Sequence, residues 1–291
     1  MSEAPSKKNY SHLILITGPP RSGTTWLNRE LCSGAAAFPF LPECTFLTQQ
    51  VELYNRIINY SDKKRFMAYF QNRHNLTTLF LENIARQIDQ AASLNKKTDA
   101  NVLVLKDPGL SLHLEASEAL FPEHYLIVLV RDPRDVIASM KKVSLKKETD
   151  FEIKKTAGEI FMYYYKIGNF YKKNNENSIF VRYEDLVTGK TEDLQGFLPD
   201  GLMPSVSTGE MDLSELKQKL DPSDPFFSEH YFHPTTDQTI ASYVNILSED
   251  EINYIDNIFS GVIQCWGYGS KGLRRRKRCK CLIKGIVRPV S

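Results

Sequence analysis

Leu13–Trp26 reads LILITGPPRSGTTW, an unbroken apolar run that passes directly into a glycine-bounded turn. Leu13, Ile14, Leu15 and Ile16 put apolar side chains on both faces of an extended chain, the pattern of a strand buried in a parallel sheet. The turn therefore stands at the strand's carboxyl end, where open α/β sheets bind ligands. Gly18 and Gly23 are five residues apart, as in G-x-x-x-x-G-K-[ST], so successive backbone N–H groups can curl around an anion at the start of a helix. Thr25 takes the Ser/Thr place. The lysine place holds Thr24, which removes the cation that reaches the β- and γ-phosphates of a nucleoside triphosphate. Arg21, inside the turn, supplies a guanidinium suited to gripping an oxyanion through two parallel hydrogen bonds.

Two more apolar runs work outward from this one. Leu126–Val130 leads into Arg131-Asp132-Pro133-Arg134-Asp135, where Pro133 suits the first position of a helix capped by Asp132. Arg131 then ends a strand, and Ser139 lies about two turns into the helix on a side that can face it. Read by themselves, Arg131, Arg134 and the aspartates also fit a surface ion-pair cluster. Val102–Leu105 delivers Lys106-Asp107-Pro108 to the same sheet edge, and Pro42-Glu43-Cys44 lies between the turn and that strand. Strands alternating with helical stretches predict an α/β chain with a central, mainly parallel sheet flanked by helices, and the likeness of Gly18–Thr25 to a phosphate loop implies the P-loop-NTPase-like three-layer form of that fold.

Pro20–Trp26 resembles the 5′-phosphosulfate loop of sulfotransferases that use 3′-phosphoadenosine 5′-phosphosulfate (PAPS), in the branch with arginine where cytosolic members have lysine. Arg131–Ser139 is similar to that family's 3′-phosphate segment, and Tyr183-Glu184-Asp185-Leu186 resembles its turn near the adenine. The resemblance implies that Arg21, Ser22, Gly23, Thr24, Thr25 and Trp26 hold the sulfate-bearing end of the donor, Arg131 and Ser139 its 3′-phosphate, and Tyr183 the base. It also implies the catalytic roles. In the tyrosylprotein and carbohydrate sulfotransferases that this arrangement resembles, a glutamate placed like Glu43, twenty-two residues after Arg21, acts as base, and the lysine of a Lys-Asp-Pro triplet, here Lys106, assists the leaving group. The histidine of cytosolic members falls on Pro108, so Glu43 is the preferred base, with His113, His230 and His233 held in reserve. The implied reaction moves a sulfuryl group from PAPS to an acceptor hydroxyl on a small molecule, carbohydrate or tyrosyl group, without a metal. One departure concerns Ala241–Asn245, which stands where cytosolic members carry Gly-Asp-Trp-Lys-Asn: the preceding Thr236-Asp237-Gln238 lacks their basic phosphate clamp.

With 291 residues, 42% apolar and 25% charged, the chain fits an ordinary globular protein, read as one domain over 1–270 and a basic tail over 271–291. The run Arg274–Arg278 stands out against a net charge of only +2: it fits either a solvated end or an electrostatic tether to an anionic surface or acidic acceptor, not a specific nucleic-acid site. Nothing reads as a transmembrane segment or signal peptide, and five scattered cysteines favour a reducing, cytoplasmic setting. Residues 47–95 read as two helices, 150–173 as an aromatic-rich helix more suited to core than to substrate, and 245–259 as a final helix capped by Ser248. Asp221–Pro234 has a loop's composition, either a closing lid or a packed surface loop. Two other function classes stay open: a P-loop kinase or nucleotide-binding protein with a degenerate loop, using Asp107 for metal, and a non-catalytic binding protein.

Overall fold

β1 (His12–Thr17) occupies an inner position in a four-stranded parallel sheet, between β2 (Val102–Lys106) and β3 (Tyr125–Val130), with β4 (Ser178–Arg182) beyond β3. The protein is seen in a computed structural model that describes residues 8–97, 99–173, 176–199 and 239–269, with Lys219, Ser223, Asp224 and Phe227. The registers pair Ile16 with Lys106, Thr17 with Val128 and Val130 with Arg182. All four strands therefore end on one edge, as parallel pairing requires.

The period of two along each strand divides the core into two layers. Leu13 and Leu15, Leu103 and Leu105, and Leu126, Val128 and Val130 face one cluster. That layer is completed by α2 (Thr45–Ile58), α4 (Arg73–Asn95), α5 (Leu114–Leu120) and the C-terminal half of α7 (Ile153–Tyr171). Ile14, Ile16, Val102, Val104, Ile127 and Leu129 face the other, against α1 (Thr24–Cys32), α8 (Tyr183–Val187) and α9 (Glu192–Phe197). A third cluster joins α6 (Pro133–Lys146) and the first half of α7 to the helices Glu249–Ile258 and Ser260–Trp266.

Several expectations need adjusting. Residues 47–95 hold three helices, because α3 (Lys63–Phe70) is separated from its neighbours by polar caps: Asp62 accepts from the Arg65 N–H and Asn72 from the Asn75 N–H. Between them Gln71 adopts φ 61°, a conformation no helix continues through. The final helix begins after Ser248 in a capping box with Glu251 but ends at Ile258, and a second helix follows. β4 stops at Arg182, so Tyr183 opens α8. Most of Asp221–Pro234, including His230 and His233, lies outside the described residues, as do Thr236–Gln238 and the tail 271–291. Among the described residues no helix is long and apolar enough to cross a membrane.

Candidate active site

Both glycines of the turn are dictated by close approach. A Cβ on Gly18 would meet the Leu129 carbonyl oxygen at 2.1 Å, and one on Gly23, at φ +98°, would meet the Tyr183 ring at 2.5 Å. Between them Arg21 adopts the left-handed φ of 67°, which reverses the chain toward α1. The Ser22 N–H is consumed in the turn, donating to Pro19 O at 3.1 Å, so it does not join the anion-facing amides as the sequence had led us to expect. The N–H groups of Gly23, Thr24 and Thr25 have no acceptor among the described residues, and the buried Ser22 hydroxyl has no partner either. Donors left open at a helix start form an anion cradle.

Lys106 comes to this cradle from β2. Its Nζ donates to Thr25 Oγ1 at 2.9 Å and to Glu43 Oε1 at 2.6 Å. Glu43 is held by its chain neighbours. Residues 36–44 run beside β2, with Phe38 N–H donating to Val102 O and Cys44 N–H to Lys106 O. The Asp107 carboxylate is engaged elsewhere than on Lys106, accepting from Thr48 Oγ1 at 2.8 Å and from the Gly109 N–H at 2.7 Å. Burial raises its pKa above the ordinary carboxylate value, opposed by those two hydrogen bonds. The Cys44 thiol is likewise pushed up by burial, so it stays protonated and inert.

A cleft of about 640 Å³ opens over these groups, lined by Arg21, Thr24, Thr25, Glu43, Lys106 and Asp107. Phe40, Pro42, Tyr163, Lys219, Asp224 and Phe227 are among the residues of its other walls. Sequence reasoning missed Tyr163, taking the α7 aromatics for core, and missed Lys219, which carries no local motif, whereas Asp224 and Phe227 belong to the stretch Asp221–Pro234 read as a lid or packed loop. Tyr164, the neighbour of Tyr163, is fully buried and donates to the Arg131 carbonyl. That bond fixes the rotation of α7, and one residue on a helix is about 100° of turn, enough to carry Tyr163 from core to cleft.

The second anion segment adjoins the first. Arg131 Nη1 donates to Arg21 O at 3.1 Å, and Arg21 Nε donates to Ser139 Oγ at 3.0 Å. Arg131 is only 9% exposed, its guanidinium lies 4.5 Å from the Tyr183 ring centre, and its Nε has no partner. It makes no ion pair among the described residues. Arg134, by contrast, is bound by Asp132 and Asp256 and raised in pKa by the Asp132 hydrogen bonds and charge against the opposing effect of burial; the expected ion pairing is confined to Arg134, and its pair with Asp132 is largely buried rather than on the surface. Trp26 packs edge-on to Tyr183 at 5.9 Å. Ser22, Trp26, Arg131, Ser139 and Tyr183 stand behind the cleft rather than on its lining. His113 is bonded to Asn55 at 3.0 Å and does not line the cleft. Among the described residues no group of acidic, histidine or cysteine side chains could hold a metal ion.

A family model described as "Sulfotransferase family" matches residues 14–198, more than half of the chain. No curated protein matches. The solved structures include a sulfotransferase domain from the curacin biosynthetic pathway, 19% identical, with a TM-score of 0.51, covering 86% of this chain and 98% of that one. A sulfotransferase domain from the Synechococcus PCC 7002 olefin synthase is 18% identical over 88% of this chain and 97% of its own, with a TM-score of 0.47. Retinol dehydratase in a complex with retinol and PAP is 14% identical over 94% and 84%, with a TM-score of 0.40.

Proposed function

This chain belongs to the sulfotransferase family, and we propose that it takes its sulfuryl group from PAPS, with Glu43 as base and Arg21 and Lys106 stabilising the transferred charge. A single observation carries this reading: the Lys106–Glu43 pair and the open amides of Gly23, Thr24 and Thr25 face one cleft, with Arg21 on its rim. The donor fits the residues present, since a cradle that a Cβ would fill, the unpartnered Ser22 hydroxyl and a buried arginine without an ion pair all call for an anion.

In this reading Glu43 accepts the proton of the acceptor hydroxyl as its oxygen bonds to sulfur. The bond from sulfur to the donor's bridging oxygen breaks, and adenosine 3′,5′-bisphosphate leaves with the electron pair. Lys106 and Arg21 meet the negative charge on the sulfuryl oxygens and the departing phosphate, where preorganised donors contribute most. Arg131 and Ser139 hold the 3′-phosphate, with Tyr183 and Trp26 at the nucleoside and Ser22 among the groups around the 5′ end. Lys106 also supplies, from β2, the cation that Thr24 does not.

We place the enzyme in the cytoplasm, as the scattered cysteines suggest, and treat 1–270 as the catalytic domain, with the basic tail 271–291 either a solvated end or an electrostatic tether. A salt titration comparing the full chain with one ending at Ser270 tests the tether, whose loss should flatten the salt dependence. Transfer of radiolabelled sulfate from PAPS across phenols, steroids, sugars and tyrosyl peptides tests the activity. Calorimetric titration should show binding of adenosine 3′,5′-bisphosphate and none of ATP–Mg²⁺; the reverse order would overturn the assignment.

A further inference from the structure

Asp135, in the first turn of α6, is 1% exposed, and both of its carboxylate oxygens are spent on one distant segment. Oδ2 accepts from the Ala241 N–H at 2.9 Å, and Oδ1 accepts from the Tyr243 N–H at 2.9 Å and the Ser242 hydroxyl at 3.1 Å. The segment does not lie there for its own comfort: Ala241 is held at φ 55°, a left-handed conformation unfavourable to alanine.

What this fastening holds in place is Thr239. Its carbonyl oxygen accepts from Arg131 Nη2 at 2.7 Å, and its hydroxyl lies 2.9 Å from the Tyr183 hydroxyl. The two terminal nitrogens of Arg131 thus rest on neutral carbonyls, those of Arg21 and Thr239. The Arg131 charge favours the ionised forms of Asp135 and Glu184, against the opposing effect of their burial. Glu184 Oε1 accepts from the Asp132 N–H at 2.8 Å, so it too is tied to backbone. Asp135 makes no ion pair with Arg131 among the described residues, since both of its oxygens are taken by residues 241–243.

We infer that Asp135 is a positioning residue for the nucleotide's 3′-phosphate: it straps residues 239–243 against Arg131 and Tyr183, keeps itself off the guanidinium, and so leaves Arg131 positive and oriented. The strap does by backbone geometry what the basic clamp missing from Thr236–Gln238 would do by charge. The inference rests on the nucleotide reading proposed above.

The test compares adenosine 3′,5′-bisphosphate with AMP, which lacks the 3′-phosphate, by calorimetric titration of the full chain. Asp135→Asn retains one acceptor oxygen and gains an amide that cannot accept, so the strap loses at least one N–H partner. The affinity for the bisphosphate should fall about tenfold or more while that for AMP changes less than about twofold. A purely structural role would lower the melting temperature and weaken both ligands alike, and that result, or an unchanged ratio, overturns the inference. Should Asp135→Asn fail to fold, Ser242→Ala keeps the carboxylate and removes one of its bonds. The bisphosphate-to-AMP ratio should then drop about threefold, and no drop overturns the inference. A wild-type chain that binds the bisphosphate no better than AMP would instead defeat the nucleotide reading itself.

Discussion

Lys106 Nζ and Glu43 Oε1 are 2.6 Å apart although the lysine side chain is 2% exposed and the glutamate 49%. The ammonium comes up out of the sheet and the carboxylate comes down from the cleft wall, so the pair meets at the boundary between core and solvent. A buried ammonium needs that partner, and a half-exposed carboxylate at its tip can still receive a proton from a bound acceptor.

Glu43→Gln should therefore act twice. Turnover should fall by about 10²–10⁴-fold through loss of the base, and urea unfolding should show a loss of about 1–2 kcal/mol, because the Lys106 ammonium exchanges a carboxylate for a neutral amide oxygen and keeps only Thr25 besides. Lys106→Met should lower kcat by about 10²–10³-fold. If Glu43→Gln left turnover intact while Arg21→Ala abolished it, the base would have to be sought elsewhere.

Gly23 and Tyr183 should be coupled. Gly23→Ala places a methyl 2.5 Å from the tyrosine ring at φ +98°, so both a clash and backbone strain oppose it. We expect a loss of more than about 2 kcal/mol, partly recovered when Tyr183→Ala is added, because only the clash is relieved. Denaturant midpoints of the four proteins in the cycle measure this.

Tyr163→Phe should separate the acceptor side of the cleft from the donor side. Burial raises the Tyr163 phenol pKa, with the Asp107, Glu159 and Glu43 charges adding to it, so the hydroxyl remains a hydrogen-bond donor through the neutral range. With p-nitrophenol as acceptor, KM should rise about three- to tenfold while binding of adenosine 3′,5′-bisphosphate stays unchanged, as steady-state kinetics and calorimetry would show.

Asp107 gives the pH dependence a definite sign. Its folded pKa is raised above the ordinary 3.8, burial being the main cause, so the folded state binds the proton more tightly than the unfolded chain does. Its contribution to stability is complete below the unfolded pKa and is lost as pH rises through the folded one. Urea unfolding between pH 4 and about 7 should show a steeper decline for the wild type than for Asp107→Asn.

β1, β2 and β3 were legible because all three are buried on both faces and so read as continuous apolar runs. The caps at Asp62 and Asn72 were not, since they sit inside a stretch whose apolar spacing already satisfied two helices. Tyr163 and Tyr164 are adjacent in sequence but one lines the cleft and the other the core, a distinction set by how α7 is rotated against Arg131. Asp135 offered only a place in a charged run. Its partners lie over a hundred residues away, and no local pattern records them.

The inner position of β1 also bears on biosynthesis. This strand emerges from the ribosome first, yet its two flanking partners begin only at Val102 and Tyr125. Until both have been translated, a nascent chain presents an apolar segment with two bare edges, the kind of surface that chaperones shield and that aggregates capture. Its closure is non-local, so the sheet that brings the catalytic groups together forms only after Tyr125–Val130 has been made.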